Sequence, residues 1–306
     1  MAEHVIWTQW DDLNVPSSFK RLSPVTTPIE TSDLSKITFY VPTYMGGRPA
    51  LELTKKMPNL KVLQMPNAGY DDAMEFVREG MTLCNGRSIH DDSTAELAVG
   101  LTIASLRGFP DFVRNQDKSS WVHVKNKSIN DRRIGIIGFG SIGSTIAKML
   151  SGFSVEIVPF TQSGRDNTTA ITDLDKHLPT LDVVILILPL TAESKHLFNA
   201  KRLSLMKDGA LLVNVARGPI VDTDALVKEL NSGRITAAVD VTDPEPLPSD
   251  HPLWRAKGVL ISPHVGGNTT AFEKRARKLI ESQLNLLAEG KPLNNVIVAG
   301  NQANIS

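Results

Sequence analysis

The stretch Arg133-Ile134-Gly135-Ile136-Ile137-Gly138-Phe139-Gly140-Ser141-Ile142-Gly143 decides the fold. A β-branched, apolar run ends in Gly-x-Gly-x-x-Gly, after which Ile142, Ile146, Met149 and Leu150 fall on one helical face. Strand, glycine turn and helix, in that order, form the setting in which such a motif cradles a dinucleotide. Gly138 permits the tight turn, Gly140 lets a pyrophosphate approach the backbone, and Gly143 lets the helix pack close to its strand. The phosphates then sit on the N–H groups of the helix start, at Ser141 and Ile142, where the helix dipole favours negative charge.

Downstream of this loop the rhythm is regular. Strands are expected at residues 134–137, 155–160, 183–188, 210–215, 237–241 and 259–262, with helical stretches between most of them. One helix, 224–230, is capped by Asp222 or Thr223 and closed near Gly233. Six near-continuous apolar strands describe a doubly wound sheet buried on both faces. Thr270-x-x-Glu273 reads as the cap of a long amphipathic helix ending at Gly290 and Pro292, expected to return to the N-terminal part of the chain.

Upstream, residues 1–92 hold short β-like runs (4–7, 37–41, 61–64 and 81–84) separated by Pro, Gly and Asn, with helix-compatible pieces at 50–56 and 71–79. That alternation indicates a small parallel α/β unit. The loop Pro66-Asn67-Ala68-Gly69-Tyr70-Asp71 follows the third run, at the end where open α/β sheets bind ligands. Ser93-Thr94-Ala95-Glu96 reads as a capping box opening an apolar helix, 97–106. Gly108 and Pro110 interrupt that helix, and a polar arm follows around Trp121.

Composition excludes several classes of function. The chain has 306 residues, and Lys plus Arg and Asp plus Glu both number 33, so nothing points to a nucleic-acid or membrane surface. The single cysteine, Cys84, rules out an intrachain disulfide framework and reads as a buried structural thiol. No apolar run approaches ~18 residues and the N-terminus has no signal-like pattern, so a cytoplasmic protein is expected. His4, His123, His177, His196 and His251 have no ligand spacing, and no metal site is expected.

Three groups recur at the ends of the later strands. Asn214-Val215-Ala216-Arg217-Gly218 places an arginine after one strand, and Asp240-Val241-Thr242-Asp243-Pro244-Glu245-Pro246 places acids after the next. Ser262-Pro263-His264-Val265-Gly266-Gly267 puts a histidine after the third. Parallel strands end on one edge, so these side chains can converge. Each alone has a plain alternative: a solvated arginine, an exposed glutamate, a histidine closing a strand.

These motifs, with Leu188-Pro189-Leu190-Thr191 and Asp243-Pro244-Glu245-Pro246-Leu247, resemble in order and across essentially the whole chain the D-isomer-specific 2-hydroxyacid dehydrogenase family. The resemblance implies a two-domain α/β fold: a Rossmann-type doubly wound sheet over 93–274, including a hinge helix and dimerisation arm, and a smaller flavodoxin-like substrate domain from 1–92 and 275–306, with a cleft between them. It implies that Arg217 binds the substrate's carboxylate and carbonyl oxygen, that His264 is the acid in reduction and the base in reverse, and that Glu245 holds the other ring nitrogen. Backbone N–H groups of Ala68 and Gly69 would cradle the carboxylate. Leu188, Pro189, Val215, Ala216, Arg217, Asp240, His264 and Gly266 would line the cofactor, with Asp240 holding the nicotinamide carboxamide.

One departure concerns the cofactor. An NAD-preferring site carries an acid at the end of the second strand, accepting from the ribose 2′-hydroxyl. Eighteen residues after Gly143 stands Thr161, followed by Gln162-Ser163-Gly164-Arg165, with no carboxylate before Asp166. Hydroxyls and an arginine suit a 2′-phosphate, whereas a carboxylate repels one. NADP(H) is therefore expected over NAD(H). The expected activity is reduction of a small anionic 2-oxo acid, glyoxylate or hydroxypyruvate first, by a homodimer built on the hinge helix and arm. A non-catalytic NAD(H)-sensing corepressor-like protein on the same fold is the alternative.

Overall fold

The computed structural model describes residues 4–22, 28–165 and 167–300. The chain divides into two units, Met1–His90 with Thr270–Ser306, and Asp91–Thr269. Asp166, invoked above as the first acid after Thr161, lies outside the described residues.

In chain order the first unit contributes strands β1 (His4–Trp7), β2 (Phe19–Leu22), β3 (Phe39–Tyr40), β4 (Val62–Gln64) and β5 (Thr82–Cys84), with helix α1 (Gly47–Glu52) between β3 and β4. The second unit follows with helices α2 (Asp91–Arg107) and α3 (Phe109–Asp117), strand β6 (Arg132–Ile137), helix α4 (Ser141–Leu150) and strands β7 (Val155–Thr161) and β8 (Thr169–Ala170). Helix α5 (Leu174–His177), strand β9 (Val183–Leu186), helix α6 (Ala200–Leu205), strand β10 (Leu211–Asn214), helix α7 (Thr223–Ser232), and strands β11 (Thr236–Val239) and β12 (Val259–Ile261) complete it. The chain then returns to the first unit through α8 (Phe272–Ala288) and β13 (Val296–Val298).

The first sheet has the order β13-β5-β4-β3-β1-β2. All pairs are parallel except β13 with β5. Successive residues of its strands alternate between two cores, as the period-two pleat requires. Trp7, Tyr40, Leu63 and Leu83 enter one; Ile6, Phe39, Val62 and Cys84 enter the other. The second core is closed by α8, whose Ala276, Ile280, Leu284 and Leu287 recur at helical spacing. Cys84 is fully buried there, and burial pushes its thiol up to about 12 despite a hydrogen bond with Gln283, so it carries no thiolate chemistry.

The second sheet is wholly parallel, in the order β12-β11-β10-β9-β6-β7-β8. From β6 the chain runs outward to β7 and β8 on one side and to β9 through β12 on the other. That reversal is a topological switch point, where open α/β sheets bind ligands beyond their strand ends. The hairpin-free connectivity makes every strand end at the same edge, which is the edge carrying Gly138, Arg217, Glu245 and His264.

Several local expectations are corrected. Helix α2 begins at Asp91, so Ser93 lies inside it, and its hydroxyl bonds Thr269 Oγ1 at 2.8 Å instead of capping. Asp91 and Asp92 in the first turn suit the positive helix end and extend it upstream. Helix α8 starts at Phe272 with no side-chain cap, and Glu273 pairs with Arg277. The interruption at Gly108 and Pro110 opens a further helix before the arm: after Gly108 at φ +71, α3 runs to Asp117, with Pro110 in the first turn where a missing N–H costs nothing. Strands β2, β8 and β13 were not anticipated; β2 is the polar run Phe-Lys-Arg-Leu at a sheet edge. Among the described residues no helix is long and apolar enough to cross a membrane.

Candidate active site

The glycine loop joins β6 to α4, and each glycine answers to a different constraint. Gly138 sits at φ +101, and a Cβ there would lie 2.2 Å from the Ile187 carbonyl oxygen. Gly143 has the Gly138 carbonyl oxygen 2.2 Å from where its Cβ would stand, so the closeness it permits is between helix and turn. At Gly140 a Cβ would meet nothing within 4 Å: the backbone faces open space, not protein. Gly140 is also the N-cap of α4 and supplies no side-chain cap, leaving the first amides of α4, from Ser141 on, for a ligand. A loop built this way fits the pyrophosphate of a dinucleotide.

Beyond β7, the turn 161–168 is held by its own threonines. Thr161 Oγ1 lies 2.6 Å from Thr168 Oγ1 and accepts the Gly164 N–H at 3.1 Å, while the Thr168 hydroxyl donates to the Arg165 carbonyl. With the Thr168 proton so committed, the Thr161 proton goes to Thr168. Thr161 therefore shapes the turn in the structure. Gln162, Ser163 and Arg165 are exposed around it.

At the ends of β10, β11 and β12 the structure brings Glu245 and His264 together. His264 Nδ1 stands 2.5 Å from Glu245 Oε1. A carboxylate only accepts, so Nδ1 carries the proton and Nε2 remains for another partner. The Glu245 hydrogen bond raises the His264 pKa above its usual 6.5; burial opposes it, and the Glu245 charge outweighs the counter-pull of Arg217. For Glu245, burial alone would raise the carboxyl, but bonding to His264, its charge, the Thr242 amide and Arg217 hold it below 4.5.

His264 itself adopts φ +53, a left-handed conformation costing a β-carbon residue about 1–3 kcal/mol. The buried Asp240 maintains it. Its carboxylate accepts the Ser262 hydroxyl at 2.6 Å and the Val265 and Gly266 N–H groups at 2.9 Å each, while its carbonyl accepts the His264 N–H at 2.7 Å. Asp240 was expected to face the nicotinamide; the structure spends all but about one of its carboxylate lone-pair sites on this loop.

Arg217 is half-buried after β10 and donates from Nη1 to the Ala216 carbonyl at 2.7 Å. Its place relative to Glu245 is set by Gly218, where a Cβ would fall 1.9 Å from the Thr242 carbonyl oxygen. Val215 and Ala216 are buried; Leu188 packs on the core and Pro189 accepts the Ser194 hydroxyl. Gly218, Thr242 and Ser262 went unremarked as supports, although strand-end position marks all three. In the other unit, Ala68 and Gly69 lie in the loop after β4, half-buried. Arg48 is engaged there by Glu52 and Glu75 over the Phe76 ring.

Comparison with known proteins agrees with this geometry. Residues 99–266 match the family described as D-isomer specific 2-hydroxyacid dehydrogenase, NAD binding domain. The chain is 36% identical over 255 residues to a glyoxylate reductase of Thermofilum pendens, covering 78% of this chain and 75% of that protein. It is 31% identical over 263 residues to a glyoxylate reductase of Thermococcus litoralis, covering 80% and 79%. Its fold superposes on a D-isomer specific 2-hydroxyacid dehydrogenase family protein of Aeromonas salmonicida with TM-score 0.85 and 25% identity, over 96% of this chain and 99% of that one. The chain belongs to the D-isomer-specific 2-hydroxyacid dehydrogenase family.

Proposed function

We propose that this dehydrogenase reduces a small 2-oxo acid of the glyoxylate or hydroxypyruvate type to its D-2-hydroxy acid, using NADPH in preference to NADH. The observation that carries the reading is the His264–Glu245 pair beside Arg217, on the edge of the sheet whose glycine loop fits a dinucleotide. The nicotinamide, when bound, supplies the hydride.

The chain's own residues do the rest. Arg217 binds the substrate's carbonyl oxygen and carboxylate with a fixed, always-charged fork, and its charge offsets the negative charge that grows on that oxygen. His264 gives the oxygen a proton from Nε2 in reduction and takes it back in oxidation. Glu245 fixes the tautomer and keeps the imidazolium populated. Ala68 and Gly69 amides bind the carboxylate. Gly138, Gly140, Ser141, Ile142 and Gly143 hold the pyrophosphate, and Gln162, Ser163 and Arg165 receive the 2′-phosphate in place of the acid that NAD-preferring sites carry.

A panel of 2-oxo acids assayed with both cofactors tests this. Turnover of glyoxylate or hydroxypyruvate with lower KM for NADPH supports it; a clear NADH preference removes the 2′-phosphate assignment. Nucleotide binding with turnover of no acid favours the sensor reading instead.

We also assign the homodimer contact to α3 and the arm after it, where Phe109, Phe112, Val113, Val122, Val124 and the 98% exposed Trp121 form the apolar surface that a second copy would cover. A monomer by light scattering would contradict it.

A further inference from the structure

We propose that Asn85, in the loop after β5, is a positioning residue that aims the backbone donors of the 68–70 turn at the substrate carboxylate. The proposal rests on the reading of that turn as the carboxylate cradle.

Strands β4 and β5 are adjacent and parallel, so the loops leaving them, 65–70 and 85–90, emerge side by side. The second loop grips the first. Gly86 N–H donates to the Asn67 carbonyl at 2.7 Å, and a Cβ on Gly86 would fall 2.9 Å from backbone atoms of Pro66 and Asn67. Asn85, only 6% exposed, donates from Nδ2 to the Ala68 carbonyl at 2.7 Å. Asn67 donates from its own Nδ2 to the Gly69 carbonyl at 3.0 Å.

Three consecutive carbonyls, of residues 67, 68 and 69, are thus tied to protein donors. In a trans peptide the carbonyl and the following N–H point in opposite directions. Tying these three carbonyls therefore turns the N–H groups of Ala68, Gly69 and Tyr70 to the other side. Among the described residues, none of the three donates to a protein acceptor. Successive outward amides make an anion-binding concavity needing no charged side chain.

The middle tie is the one anchored from the core. Asn85 N–H donates to the Asn295 carbonyl at 3.1 Å, and its carbonyl accepts from Gln64 Nε2 at 3.1 Å. Gln64 Oε1 in turn accepts from Gln283 Nε2 at 2.8 Å, both side chains being fully buried. The Asn85 Oδ1 accepts the Arg87 N–H at 3.3 Å, which leaves Nδ2 facing Ala68. The aim of the turn is therefore referred to the sheet and α8, while Asn67 holds it only locally.

The test compares Asn85→Ala and the near-isosteric Asn85→Leu, which has no donor but leaves no cavity, with Tyr40→Phe and Gly69→Pro. Tyr40→Phe deletes a buried side-chain-to-carbonyl bond to Ala50 in the same unit, away from the turn. Gly69→Pro removes one of the amide donors itself. Both Asn85 variants should raise KM for the 2-oxo acid roughly 10–100-fold, the range of a hydrogen bond to a charged group, with kcat changed much less and NADPH affinity unchanged. Tyr40→Phe should lower Tm without moving KM, and Gly69→Pro should raise KM.

A KM rise in Gly69→Pro with normal KM in the Asn85 variants overturns the positioning role and leaves the cradle standing. Normal KM in Gly69→Pro overturns the cradle and this proposal with it. Equal KM shifts in Tyr40→Phe and the Asn85 variants reduce Asn85 to a structural residue.

Discussion

The loops after β4 and the loops after β10, β11 and β12 are both assigned to the same small anion, and they are built on opposite plans. The first offers three backbone amides, with neutral supports in Asn67, Asn85 and Gly86. The second offers Arg217, Glu245 and His264, with a buried carboxylate, Asp240, behind them. An amide cannot be titrated, and only a proline at its own position removes it, so every other substitution acts on the first plan through its supports. Charged side chains titrate and can be deleted one by one. On the proposed reading, pH acts on the site through the Glu245–His264 pair and not through the amides or Arg217.

The widest separation between the two plans should come from His264→Ala. Loss of a placed acid typically costs ~10²–10⁴-fold in turnover, and here KM for the acid should move little, the reverse of the Asn85 variants. Steady-state kinetics check it; surviving turnover would remove His264 from the mechanism. Next, Arg217→Lys should lower kcat/KM roughly 10–100-fold, because a point charge cannot reproduce the two-pronged contact. Near-normal kinetics would mean the amide turn alone carries the anion.

Smaller, but more diagnostic, is the pH dependence. His264 is raised above 6.5, so the reducing activity should be full at lower pH and fall as pH rises through that elevated value. Glu245→Gln removes the raising partner, and the falling limb of kcat/KM should move to lower pH. The same pair affects stability: its His264 contribution is complete below 6.5 and lost as pH rises through the folded-state value. Its Glu245 contribution is present above 4.5 and lost as pH falls below it. Both side chains are about two-fifths exposed, so that stability effect is modest. The Asn85 variants should leave the pH profile unmoved. The smallest effect should be Arg165→Ala, which lies on the exposed turn after β7 and should raise KM for NADPH only a few-fold while sparing NADH.

Legibility in the sequence followed how local each feature is. The glycine loop was readable because its strand, turn and helix follow one another within a short stretch, from β6 to Gly143. The strand-end placement of Arg217, Glu245 and His264 was readable because parallel sheets share an edge. What escaped is the set of partners that these side chains find elsewhere in the fold. Asp240 is expected at the nicotinamide, and its carboxylate also meets donors more than twenty residues later, at Ser262, Val265 and Gly266. Thr161 is expected at a 2′-phosphate, and its hydroxyl also meets Thr168. The capping boxes at Ser93 and Thr270 matched a pattern that also occurs by chance, and the chain started its helices elsewhere. Asn85-Gly86 obeyed the same strand-end rule as Arg217 and was overlooked because neither residue is chemically reactive.

Gly218 has a consequence for anyone altering substrate scope. Because its missing side chain lets the peptide at 217–218 rest against the Thr242 carbonyl, the arginine loop and the Glu245 loop fit together like two pieces of one casting. A library that randomises either loop alone would inherit a mould cut for the other. Productive diversity would come from changing 216–218 and 242–246 as a matched pair, with the glycine kept constant, or from leaving both untouched and varying the amide turn across the β4 end.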